Sequence, residues 1–192
     1  MSEAPDQPES ESSAGAARSS TRPLLLVALL AVAIVVVVGG VLVVQARRNA
    51  DGASAVAARQ AQIEQNGAQV MPFDQDLTTH QFTKTDTGGV ETVTVNDPND
   101  TRQATLIQNH LRHERDLFAA GDFSDPMAIH GHQMPGITDL RQGATAGQVT
   151  ITYEALPTGA RLTYTAATPA LVETVHTWFD AQVMDHGSHA KG

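Results

Sequence analysis

Cysteine is absent from the 192 residues, which excludes a disulfide framework, a thiolate metal site and a thiol nucleophile on either side of a membrane. Basic residues are scarce. After residue 44 the chain carries 10 Lys and Arg against 17 Asp and Glu, so this part repels phosphate backbones and no nucleic-acid partner is expected. There is no G-x-S-x-G turn and no glycine-rich phosphate loop, so nucleophilic catalysis finds no support and the sequence leans away from an enzyme without naming or excluding a reaction. Residues 1–22 lack any large apolar side chain beyond Met1; their Ser, Ala, Pro and Glu cannot bury enough surface to offset the entropy of ordering, and they read as a disordered tail. Histidine runs the other way: all eight occur from His80 to His189, where solubility alone is met more simply by Lys or Glu. That bias points toward ligand or proton chemistry.

Residues 24–44, LLLVALLAVAIVVVVGGVLVV, are 21 uncharged positions, which as a helix extend about 31 Å, the thickness of a bilayer core. They predict a single-pass transmembrane helix over 23–45 with the lipid bilayer as partner through 24–44. The competing reading is a cleaved signal peptide with Ala53-Ser54-Ala55 as the cleavage site, but the run exceeds a signal core and Arg47 and Arg48 intervene. Arg18 and Arg22 precede the run while Arg47, Arg48 and Arg59 follow it, leaving the positive-inside rule almost no asymmetry to act on. Residues 46–70 hold many helix formers but few apolar ones, and Asn66-Gly67 is a stop signal, so a helical stalk is predicted.

Residues 71–192 show one order of elements twice. Strand alternation over 80–85 and 90–96 flanks Gly88-Gly89, residues 97–100 supply cap chemistry for a helix over 101–120, and Gly121 stops it. Alternation then returns over 149–154 and 160–165 around 156–159, Thr168 and Pro169 open a helix that runs to about 185, and Gly187 stops that one. Val149, Ile151 and Tyr153 share one strand face, with Ala160, Leu162 and Tyr164 opposite. The expectation is an α+β fold: two ββα units forming a four-stranded antiparallel sheet with both helices on one face.

Laid over each other, the two helices align Leu106, Ile107 and Phe118 with Leu171, Val172 and Val183. His110 then falls where the second helix has Val175, and Glu114 where it has Phe179. Two ionisable residues thus sit at i and i+4 in a stripe that is otherwise buried. Two readings stand open: the pair hydrogen-bonds to itself on a half-exposed helix, or it walls a site, since buried ionisable groups collect at sites. The segment 125–136, DPMAIHGHQMPG, follows directly, and its Pro and Gly residues impose a tight path that holds side chains in place. His130, His132 and Met134 make a His-x-His-x-Met set that suits copper, while imidazole with carboxylate suits zinc equally. The expected metal site, for copper or zinc, is His110, Glu114, His130 and Met134. Further donors are His80, which shares a strand face with Phe82, His113 at the stripe edge, His132, and His186 on the stripe of Phe179. Trp178 and Phe179 read as core, and His189 as part of a fraying terminus. A reading of a different class is a non-catalytic accessory subunit whose membrane-protein partner approaches at Gly39-Gly40.

Three stretches, MPFDQDLTTHQF, GDFSDPMAIHGHQMPG and TPALVETVHTWFDAQVMDHG, together resemble a family of small bacterial proteins, exported or membrane-anchored, that is uncharacterised. The resemblance covers residues 71–190. It implies a domain outside the cytoplasm and no particular activity. The aspartate carbamoyltransferase label attached to some members finds no support here: such enzymes resemble paired α/β domains with a Ser-Thr-Arg-Thr-Arg phosphate loop, and the partial match Ser20-Thr21-Arg22 sits beside the apolar run.

Overall fold

The structure is a computed structural model that describes residues 21–131 and 134–192, with side chains described from residue 37 onward. The expected tail, 1–22, therefore lies almost wholly outside the described residues. The chain divides into a unit Met1–Gly52 and a compact unit Ala53–Gly192. Helix α1 is assigned over Thr21–Val70. Among the described residues no helix is long and apolar enough to cross a membrane; the transmembrane helix expected over 23–45 falls largely on residues outside those whose side chains are described. From Val37 the apolar stretch extends only to Val44 before Gln45, Arg47 and Arg48, and residues 24–36 of the run lie outside those whose side chains are described.

Within Ala53–Gly192 the strands are β1 (Thr78–Thr85), β2 (Gly88–Val95), β3 (Val149–Leu156), β4 (Gly159–Ala166) and β5 (Ala190–Lys191); the helices are α2 (Thr101–Ala119), α3 (Ser124–His130), α4 (Ile137–Thr145) and α5 (Pro169–His186). The sheet runs β3-β4-β2-β1-β5. All pairings are antiparallel except β1 with β5, which is parallel through His80↔Ala190 and Gln81↔Lys191. The four-stranded antiparallel sheet expected from the sequence is thus corrected to a five-stranded mixed one. A strand of two residues is too short to display an alternation, so β5 leaves no periodic trace. The segment 125–136, expected to follow a tight irregular path, instead holds most of α3, and α4 follows directly after it, where the sequence raised no expectation. Pro126 is tolerated because it lies in the first turn of α3, and Ile137, Leu140 and Ala144 bury one face of α4.

Alternation across the register decides the site. Phe82, Glu91 and Leu162 line up on three adjacent strands, so Glu91 lies mid-sheet on the face that also presents His80, Val93, Ala160 and Tyr164. Helices α2 and α5 cover that face, and both are capped as their sequences indicate: Asp100 accepts from the Gln103 N–H at 3.0 Å, and Thr168 accepts from the Leu171 N–H at 3.3 Å. Against Gly89 lies the Phe179 ring. Trp178 is buried edge-on to Phe118, Phe123 and Tyr164, and Phe118 stacks on Phe123 at 4.4 Å.

The segment expected as a stalk joins this core. Helix α1 continues past Asn66-Gly67 to Val70. Ile63 is 2% exposed, a burial that stabilises by about 1.5–3 kcal/mol. The Asn66 amide donates to the Ile129 carbonyl at 2.9 Å, and the Gln60 amide to that of Met184 at 2.8 Å.

Candidate functional site

Beneath α2 lies a cavity of about 50 Å³, room for one ion with a water or for a few waters. Every surrounding element contributes to its wall: Met71 after α1, His80 and Phe82 from β1, Glu91 from β2, Leu162 from β4, His110 and Glu114 from α2, Asp125 and His130 from α3, and Trp178, Gln182 and His186 from α5. Helical spacing places His110 and Glu114 one turn apart, and Glu114 is buried beside Ile107, Leu111 and Phe118. Both side chains of this pair line the cavity, and among the described residues no hydrogen bond joins them.

The imidazoles are gathered. The His80 and His186 rings stack at 5.1 Å between centroids, His130 stands edge-on to His186 at 4.9 Å, and Phe73 contacts both His80 at 5.8 Å and His110 at 5.6 Å. His130 Nδ1 lies 3.0 Å from Asp185 Oδ2. A carboxylate only accepts, so Nδ1 carries the proton and the Nε2 lone pair is free. Asp185 is held in turn by Arg59, whose Nε and Nη2 each donate at 2.6 Å to separate carboxylate oxygens. This fork-to-fork geometry fixes the plane of the carboxylate.

Three polar atoms of the wall have no hydrogen-bond partner although buried: His80 Nδ1, Glu114 Oε1 and Trp178 Nε1. Each such atom costs about 1–3 kcal/mol unless something in the cavity satisfies it. Burial also controls protonation. It raises Glu114 to about 9, with Asp125 beside it adding to the effect. It raises Glu91 to about 7 against the opposing pull of the Tyr164 hydroxyl, which donates to Glu91 Oε2 at 2.9 Å. Burial lowers His80 to about 3, with His110 and His189 adding repulsion, and His110 to about 4, with Asp125 opposing. His130 and His186 are lowered as well, again chiefly by burial. At neutral pH the wall therefore presents neutral imidazoles beside a protonated Glu114.

Of the residues expected from the sequence, His110, Glu114, His130, His80 and His186 meet at this cavity. Met134 does not line it; at 4% exposure it belongs to the core. His113 is exposed, and His132 lies outside the described residues. Among the described residues, one group of three His, Asp or Glu donors lies within 4.8 Å of one another, and it is Glu64, Asp76 and His189, none of which lines this cavity. The cavity imidazoles thus surround a common space without being drawn onto a single point. Sequence reasoning missed Glu91, although it shares strand parity with Val93 and Val95. It also missed Arg59, Asp125 and Met71, which carry no local signal. His176 has a structural role: its Nε2 lies 3.0 Å from the Thr85 carbonyl and 2.9 Å from that of Gly88, tying α5 to the β1–β2 turn.

No protein-family model matches the chain, and neither a curated protein nor a solved structure shows similarity to it.

Proposed function

We propose that the Ala53–Gly192 domain is a binding module for one transition-metal ion, zinc or copper, taken up in the histidine cavity. The observation that carries this reading is the spacing of the imidazoles. With metal–nitrogen bonds of about 2.0–2.1 Å, two imidazoles on a tetrahedral ion have ring centroids roughly 5 Å apart. The separations here are 5.1 Å for His80 and His186 and 4.9 Å for His186 and His130. Ring rotation, without movement of the backbone, then turns the stacked pair toward a shared ion. His130 is already aimed, because Asp185 holds its Nδ1–H and frees Nε2, the arrangement that orients metal-binding histidines generally. Glu114, with its unpartnered Oε1, or His110 completes the shell. Where Glu114 is that ligand, ion binding displaces its proton and uptake releases protons.

Metal analysis of the purified full chain, beside a His80→Ala/His130→Ala variant, tests the reading. Stoichiometric zinc or copper in the wild type, absent from the variant, is the expected result. A wild type that retains no ion, and that neither zinc nor copper stabilises on addition, overturns it.

A further inference from the structure

Asp185 and His186 line a second cavity as well, of about 230 Å³, whose wall also includes Gln60, Glu64, Gln75 and His189. Donor atoms of Glu64, Asp76 and His189 lie within 4.8 Å of one another at this place, and His189 Nε2 is 3.6 Å from Asp76 Oδ1. Glu64 and Asp76 are exposed and His189 is partly so. Exposed acidic groups alone do not make a site. Here a separate feature points to a ligand: His186, only 8% exposed, borders both cavities. Its ring is flanked by the His80 and His130 rings and makes no hydrogen bond among the described residues. A buried imidazole without a polar partner, between a carboxylate–imidazole cluster on the surface and an imidazole cavity inside, is placed as a relay ligand.

We propose that Glu64, Asp76 and His189 form an outer site for a divalent transition-metal ion, and that this site loads the inner cavity through His186. Two carboxylates and one imidazole suit zinc(II) or copper(II). The two anionic groups concentrate the cation at the mouth, which raises the rate of capture. Three chain segments distant in sequence make the site: Glu64 from α1, Asp76 from the 3₁₀ turn Gln75–Leu77, and His189 from the 3₁₀ turn Gly187–His189. The outer site stands without the inner one, whereas the loading step rests on the function proposed above.

Zinc titration of the full chain by calorimetry, with stopped-flow measurement of uptake, separates these claims. Wild type is expected to bind two ions. The Glu64→Gln/Asp76→Asn variant, altered only at exposed positions, is expected to bind one, with loading slowed by roughly tenfold or more. The His80→Ala/His130→Ala variant keeps the outer ion and loses the inner. Wild-type stoichiometry in Glu64→Gln/Asp76→Asn overturns the outer site. Loss of one ion with unchanged uptake of the other overturns the loading step alone. Failure of the inner site shows itself differently, as a single ion in wild type that is lost in Glu64→Gln/Asp76→Asn and retained in His80→Ala/His130→Ala.

Discussion

Asp185, 4% exposed, is held from one side by Arg59 and hands its remaining acceptor capacity to His130. Replacing it by Asn leaves the shape but offers an amide where a carboxylate bound two donors. The expected result of Asp185→Asn is a loss of metal affinity of about 10- to 100-fold, together with a shift of the His130 ring-nitrogen resonances as the Nδ1–H tautomer loses its partner. Unchanged ring-nitrogen shifts would show that Asp185 does not set the tautomer. Glu91 makes a prediction in pH. Folding raises its pKa from 4.5 to about 7, so the native state holds more protons than the unfolded chain between those values. Stability therefore falls as pH rises through that window and stays lost above it. In Glu91→Gln this loss disappears while the histidine contributions remain in both proteins. The variant should gain on the wild type by about 1–3 kcal/mol between pH 4 and pH 8, read as the difference of two denaturation series. A constant difference across that range would refute the buried-carboxyl assignment.

Among the elements, the second half of α1 was the least legible. Residues 53–65 carry little apolar surface in sequence, yet one side chain, Ile63, enters the core, and Arg59, Gln60 and Asn66 bond to α5 and α3. Ile63→Ala should cost about 2–5 kcal/mol by urea denaturation; a cost near zero would detach this segment from the domain. The hairpins and the two long helices lie where alternation and caps indicate, because those signals are local. Helix α3 was hidden by Pro126, which reads as a loop residue unless it falls in a first turn. At Gly89 a Cβ would run into the Phe179 ring. Gly89→Ala should therefore destabilise by about 1–3 kcal/mol through overpacking, an effect that Phe179→Leu in the same chain would relieve.

For the molecule as a whole, metal removal is the broadest test. An ion bound only by the native state adds about 4 kcal/mol at a concentration a thousand times its dissociation constant. Chelation should lower the melting temperature, and zinc or copper should restore it. The extracytoplasmic placement implied by the sequence resemblance is a separate proposal: protease added to intact cells is expected to digest Ala53–Gly192, and survival of the domain until lysis would overturn it.

Local signals carried the two ββα repeats and the anomaly of His110 and Glu114, because periodicity and caps act within a few residues, and a polar pair in an apolar stripe is visible from the stripe alone. Those signals also marked His80, His130 and His186 as donors to one site with His110 and Glu114, but did not supply the packing that brings them to one cavity wall. Nor could they separate Met134, which is buried in the core, from Met71, which reaches the cavity. Those outcomes depend on register and docking. The parallel pairing of Ala190 with His80 and the reach of Arg59 across 126 positions to Asp185 are contacts between residues far apart in the chain, and no local pattern encodes them.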